Sequence, residues 1–143
     1  LFRSCTFAQV PLEVTDTLQL IAATALTSDP ALAPRRMVTV LDGRQGRLHL
    51  GIHQLADSGR LTTHLAPCAV PESQVAAHLQ SGDAILVSPV LAARVALLAN
   101  GAGATVHEFA AVHAGMLFAP TLSLRAANLA ELEPLYLMGS YVS

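Results

Sequence analysis

The chain contains no lysine and no tryptophan, and only 13% of its 143 residues are charged. All eight basic residues are arginines, and only Arg35 and Arg36 stand side by side. The two tyrosines and four phenylalanines do not interleave with them. Such a chain offers no electrostatic footprint for a nucleic-acid backbone, and its formal net charge of −2 agrees. Cysteine is also scarce. Cys5 and Cys68 form no C-x-x-C pattern, so they read as two reduced, buried thiols, with a single disulfide as the alternative. The most apolar stretch, Ala84 to Ala99, is interrupted by Ser88, Pro89 and Arg94 and falls short of the roughly 18–20 residues of a membrane span. The sequence opens on Leu1 without a cationic segment leading into a long apolar one, so no targeting segment is expected and the expected location is cytoplasmic.

What is present is apolar surface. Hydrophobic residues make up 52% of a 14.9 kDa chain, and mean hydropathy is +0.49. A chain of this size holds one core, and this composition excludes a disordered tail. The apolar excess predicts that part of the surface is covered by another subunit, either a second copy or a different protein.

Periodicity divides the chain into elements. Thr15, Asp16 and Thr17 supply cap side chains for a helix with Leu18, Ile21, Ala22 and Ala25 on one face, ending before Ser28-Asp29-Pro30. Residues 29–36 form a connector. Met37 to Leu41 suits a buried central strand, and Asp42-Gly43-Arg44-Gln45-Gly46 a turn whose two glycines are free to adopt positive φ. Arg47 to Gln54 alternates, with Leu48, Leu50 and Ile52 on one face and Arg47, His49, Gly51 and His53 on the other. After a turn at 56–60, Leu61 to Val70 completes an antiparallel three-strand meander. A helix opened by Pro71 and Glu72 and stopped by Ser81-Gly82 follows, then a strand Ala84–Ser88 and a helix Leu91–Ala99 ended by Asn100-Gly101. A strand Thr105–Phe109 comes next, then a helical region from about Val112 to Leu129, broken or kinked at Pro120, and an extended tail around 133–137. The order β-β-β-α-β-α-β-α predicts an α/β fold of the ribonuclease H-like kind, the half-unit of actin-like and Hsp70-like ATPases.

The 42–46 turn is the most informative local feature. A carboxylate at the end of a buried strand, followed by glycines, can hold a metal-bound phosphate on backbone N–H groups, with Arg44 as its ion partner. Asp42, Gly43, Arg44 and Gly46 are therefore the candidate phosphate-binding residues. The same pattern also makes a tight hairpin in which Asp42 bonds its own backbone. No metal or cofactor site is expected. His49 and His53 lie about 13 Å apart along a strand, and His107-Glu108 with His113 departs from H-E-x-x-H by two residues. Gly101-Ala102-Gly103 reads as a helix stop, since it follows a helix and precedes a strand. With no G-x-S-x-G, no cysteine–histidine context and no spaced carboxylate pair, no catalytic residue is expected.

Several segments together resemble the bacterial tRNA threonylcarbamoyladenosine biosynthesis family TsaB, also called YeaZ. Residues 14–22 look like that family's V-x-S-L-E-A-L-A stretch, preceded by a short strand at Val10-Pro11-Leu12. Residues 38–46 look like its strand ending in D-A-R-R-G-E-V-Y, and Glu133 to Leu137 resembles its terminal P-x-Y-L-R. Arg47 stands where the family often has Glu, His49 where it has Tyr, and Met138 where it has Arg. The family's opening I-L-A-I-D-T-S strand and G-P-G-S-F-T-G segment have no counterpart.

The resemblance implies an actin-like fold. Residues 1–28 would be the remnant of a first lobe, 29–36 the connector and 37–143 the ribonuclease H-like domain. It also implies a non-catalytic subunit that pairs with a TsaD-like subunit and a TsaE-like ATPase in threonylcarbamoyl transfer to tRNA adenosine, and that forms a homodimer when alone. Two other readings stand beside it: a nucleotide-binding half-domain of a sugar-kinase or Hsp70-like ATPase, and a metallopeptidase, for which the sequence holds no ligand pattern.

Overall fold

The computed structural model describes residues 12–109 and 111–127. In chain order the elements are β1 (Leu12–Val14), α1 (Thr17–Ser28), β2 (Met37–Asp42), β3 (Arg47–Leu55), β4 (Leu61–Pro71), β5 (Ala84–Val87), α2 (Pro89–Ala102), β6 (Thr105–Glu108) and β7 (Arg125–Ala127). Short 3₁₀ segments lie at Pro30–Leu32, Glu72–His78 and Ala114–Phe118. β2 is the axis of a five-stranded mixed sheet in the order β4-β3-β2-β5-β6. β2, β3 and β4 form the antiparallel meander, and β5 and β6 run parallel to β2. β1 and β7 make a separate antiparallel pair.

A strand covered on both faces needs apolar or β-branched side chains in both directions. On β2, Val38 and Val40 face one layer with Leu48, Leu50, Ile52, Ile85 and Val87, packed beneath Leu91, Val95 and Ala99 of α2 and Val75. Met37 belongs to the opposite layer, with Ala84 and Leu86 of β5 beneath Ile21, Ala22 and Leu26 of α1 and Leu122. Thr39 carries the one buried hydroxyl on this strand and donates to the Leu18 carbonyl of α1, 3.2 Å away.

The caps explain the helix limits. Asp16 accepts from the Gln19 N–H at the start of α1, and Pro30 forbids continuation past Asp29. α2 opens on Pro89, which suits a first helical position. It runs beyond the expected Asn100-Gly101 stop because the left-handed cap falls on Gly103, at φ +69.

Two expected helices are corrected. Residues 72–78 wind as a 3₁₀ segment with only Val75 buried, and that tighter winding covers more distance per residue between β4 and β5. The expected helix from Val112 is a 3₁₀ turn at 114–118 followed by strand β7. Past Pro120 the chain is drawn to β4: the Leu61 N–H donates to Thr121 O at 2.7 Å and the Ser123 hydroxyl Oγ donates to Leu61 O at 2.7 Å. Residues 128 and 129 of that expectation, Val10-Pro11 and the 133–137 segment lie outside the described residues.

The outer edge of β4 is interrupted by Pro67, Pro71 and a register shift opposite Leu50–His53, devices that discourage pairing with another chain. Among the described residues no helix is long and apolar enough to cross a membrane.

Candidate functional site

The registers Val40–Val87 and Val87–Glu108 bring the carboxyl ends of β2, β5 and β6 to one end of the sheet, where Asp42 projects two residues further. In open α/β sheets that end is where ligands bind. The 42–46 hairpin is closed by its own backbone. Asp42 Oδ1 accepts from the Arg44 N–H at 3.0 Å, Gly43 N–H donates to Arg47 O at 3.0 Å, and Arg47 N–H donates to Arg44 O at 2.9 Å. Gly46 O receives the Glu72 N–H at 3.0 Å, tying the turn to the segment after β4.

The glycines act differently from expectation. Gly46 adopts φ +73, but Arg44 (φ 62) and Gln45 (φ 50) share the left-handed region with it, whereas Gly43 is outside it. Gly43 serves a close approach instead: a Cβ there would stand 2.8 Å from His49 Cδ2 and 3.1 Å from Arg47 O. Of the candidate phosphate ligands, Asp42 and Arg44 are exposed, and the N–H groups of Gly43 and Arg44 are engaged inside the turn.

Glu72 and Arg94 form an ion pair that Asp42 also influences. The hydrogen bond from Arg94 holds the Glu72 carboxyl below its ordinary range, and the same bond raises Arg94. Their pairing was not legible in the sequence, because they lie 22 positions apart and meet only once α2 packs beside the 72–78 segment.

The histidines do not gather. Among the described residues no three His, Cys, Asp or Glu side chains are grouped to hold a metal ion. His49 lies against Gly43 with its Nε2 buried and unpartnered. His53, expected on the polar face of β3, is completely buried beneath α1, and both of its ring nitrogens lack partners. Burial lowers its pKa, His64 adds to that, and Asp16 opposes it. His107 is also lowered, by burial and by the Arg35 guanidinium.

The adjacent arginines are both committed to internal partners. Arg35 donates to Gly82 O, Asp83 O and Thr105 Oγ1 at 2.9, 2.7 and 2.6 Å, with His107 Nε2 3.2 Å from its Nη1. Arg36 holds the Asp83 carboxylate and donates to His78 O. They fasten the connector to the loop before β5. Cys68 is half-buried on β4, and burial pushes its thiol up; Cys5 lies outside the described residues.

Comparison with known proteins sets this geometry in context. No protein-family model matches the chain. No curated protein matches it either. Among solved structures it is similar to a crystal structure of an uncharacterized protein with similarity to peptidase YEAZ from Pseudomonas aeruginosa, at a TM-score of 0.66 and 17% identity. The match covers 96% of this chain and 63% of that one, so the chain spans less than two thirds of its neighbour's length. The shared property is the fold: a mixed α/β architecture like that of a YeaZ-like protein.

Proposed function

We propose that the chain is a non-catalytic, TsaB-like partner subunit that supports threonylcarbamoyl transfer to tRNA adenosine by a TsaD-like subunit, together with a TsaE-like ATPase. The observation that carries the reading is the fold match over nearly the whole chain to a YeaZ-like structure. It coincides with the motif resemblance at residues 14–22 and 38–46. The finer fold assignment belongs to this proposal. An antiparallel meander whose first strand is central, extended by two parallel strands, is the sheet expected of a ribonuclease H-like half-unit, here from Met37 onward.

A partner role has physical support as well. Val90 and Leu97 project from α2 at 89% and 79% exposure, and Phe118 at 89%. Large apolar side chains exposed in this way are suited to a protein interface. The hairpin at Asp42 is a second element of the reading: its internal hydrogen bonds favour a structural turn over a phosphate cradle.

The test is reconstitution. The full chain, a TsaD-like and a TsaE-like subunit from the same source, tRNA, ATP and the threonylcarbamoyl donor are combined, and modified adenosine is measured with each component omitted. Loss of modified nucleoside when only this chain is left out supports the proposal. Undiminished modification without it, with no complex by size-exclusion chromatography, overturns it.

A further inference from the structure

Asp16 serves two groups at once. Its Oδ1 caps α1 by accepting the Gln19 N–H at 2.8 Å, while its Oδ2 stands 4.0 Å from His53 Nε2. That second distance is too long for a hydrogen bond, so the buried imidazole faces a carboxylate without bonding to it. Between them, β3 and α1 fit without slack. A Cβ on Gly51 would stand 2.9 Å from Leu18 Cδ1 and 3.2 Å from His53 Cε1.

The groups facing His53 can be taken element by element. α1 presents Asp16 and the partial positive charge of its N-terminus. β4 presents His64. β2 places Met37 opposite in register, with no titratable group. Desolvation, the helix terminus and His64 all work against a cation at His53, and Asp16 alone works for it. The His53 side chain is fully buried, so an imidazolium here goes unhydrated while the first turn of α1 stays on the sheet.

We propose that His53 and Asp16 form an acid-sensitive latch that holds the first turn of α1 on β3. With the imidazole neutral the turn is closed. A proton taken from solvent onto His53 opens it, because lifting the turn is what lets the charged ring be hydrated. The device is independent of the partner reading above.

Residue-resolved amide exchange on the full chain tests it, between about pH 7.5 and about pH 5. Protection factors at the start of α1, corrected for intrinsic exchange, are expected to fall by up to about tenfold per pH unit below the ordinary histidine range. Amides of β2 and β5 are expected to hold. His53→Gln removes the effect. Asp16→Asn keeps the cap, since Asn caps as well as Asp, but removes the carboxylate that offsets a charged ring in the closed turn, so the fall in protection starts at the same pH, continues to lower pH and becomes deeper. Should His53→Gln fail to fold, the deeper fall in Asp16→Asn decides, together with the NMR titration of the His53 ring, which must run in step with the opening. Flat protection at α1, a parallel fall in β2, or a fall in Asp16→Asn no deeper than in the native chain overturns the latch.

Discussion

Arg36 and Asp83 meet edge to edge, Nε to Oδ1 at 3.1 Å and Nη2 to Oδ2 at 3.2 Å, with the Asp83 residue only 2% exposed. The same carboxylate accepts the Gln80 N–H at 2.8 Å, and Arg36 O receives the Ala84 N–H at 2.9 Å where β5 begins. This pair therefore seats the first residue of β5 beside β2. Asp83→Ala would strand a partly buried guanidinium and a backbone N–H together. The expected loss is about 2–4 kcal/mol, less for Asp83→Asn, read from the urea midpoint. An unchanged midpoint in Asp83→Ala would show the pair to be energetically idle.

Gly43 and Gly46 flank the same turn for different reasons, and their alanine variants should separate. Gly43→Ala drives a methyl group into His49 and should cost about 1–3 kcal/mol. A second change, His49→Ala, should recover part of that loss. Gly46→Ala meets open space but keeps the left-handed backbone, so it should cost about 1–2 kcal/mol with no rescue from position 49. A double-mutant cycle on thermal unfolding distinguishes them.

Asp42→Ala removes the acceptor of the Arg44 N–H from an exposed turn. The expected outcome is a loss of about 0.5–1.5 kcal/mol and no change in nucleotide affinity. Calorimetry with ATP and magnesium checks the second part. Tight binding by the native chain that vanishes in Asp42→Ala, with the melting temperature intact, would make the hairpin a phosphate site.

The Glu72–Arg94 pair has a defined pH signature. Because the folded carboxyl titrates below its ordinary range, the pair's contribution is complete above the unfolded carboxylate pKa. It is lost as pH falls through the lower folded value. Arg94→Leu should return the Glu72 carboxyl to the ordinary range in an NMR titration and should flatten that portion of the acid limb. A Glu72 titration unmoved by Arg94→Leu would contradict the assignment.

Much of the sheet was legible because its signals are local. The β-branched run at 37–41, the glycine-bearing turn and the alternation through 47–54 all act within a few residues. The burial of His53 was not. Alternation placed Gly51 and His53 on the face opposite Leu48, Leu50 and Ile52, without showing that α1, well upstream, lies over that face. Gly51 was the available clue, since a glycine inside a strand often marks close backbone approach. The apolar residues from Val112 to Leu129 suggested a helix, but Leu61 offered backbone partners that a local pattern does not register. At the candidate site, the position of Asp42 at a strand end was readable. The employment of Arg35 and Arg36 was not, because their acceptors at 82, 83 and 105 come from distant segments.

The two-sided pairing of β2 has a consequence for how the chain reaches its fold. On the β3 side β2 closes across a tight turn, so that contact requires little chain to be ordered. On the β5 side the partner follows more than 40 residues later, and a larger loop must close before any hydrogen bond forms. The meander should assemble first, leaving one flank of β2 bare until β5 and α2 arrive. In that interval the central strand of the finished sheet is the one most open to pairing with a stranger.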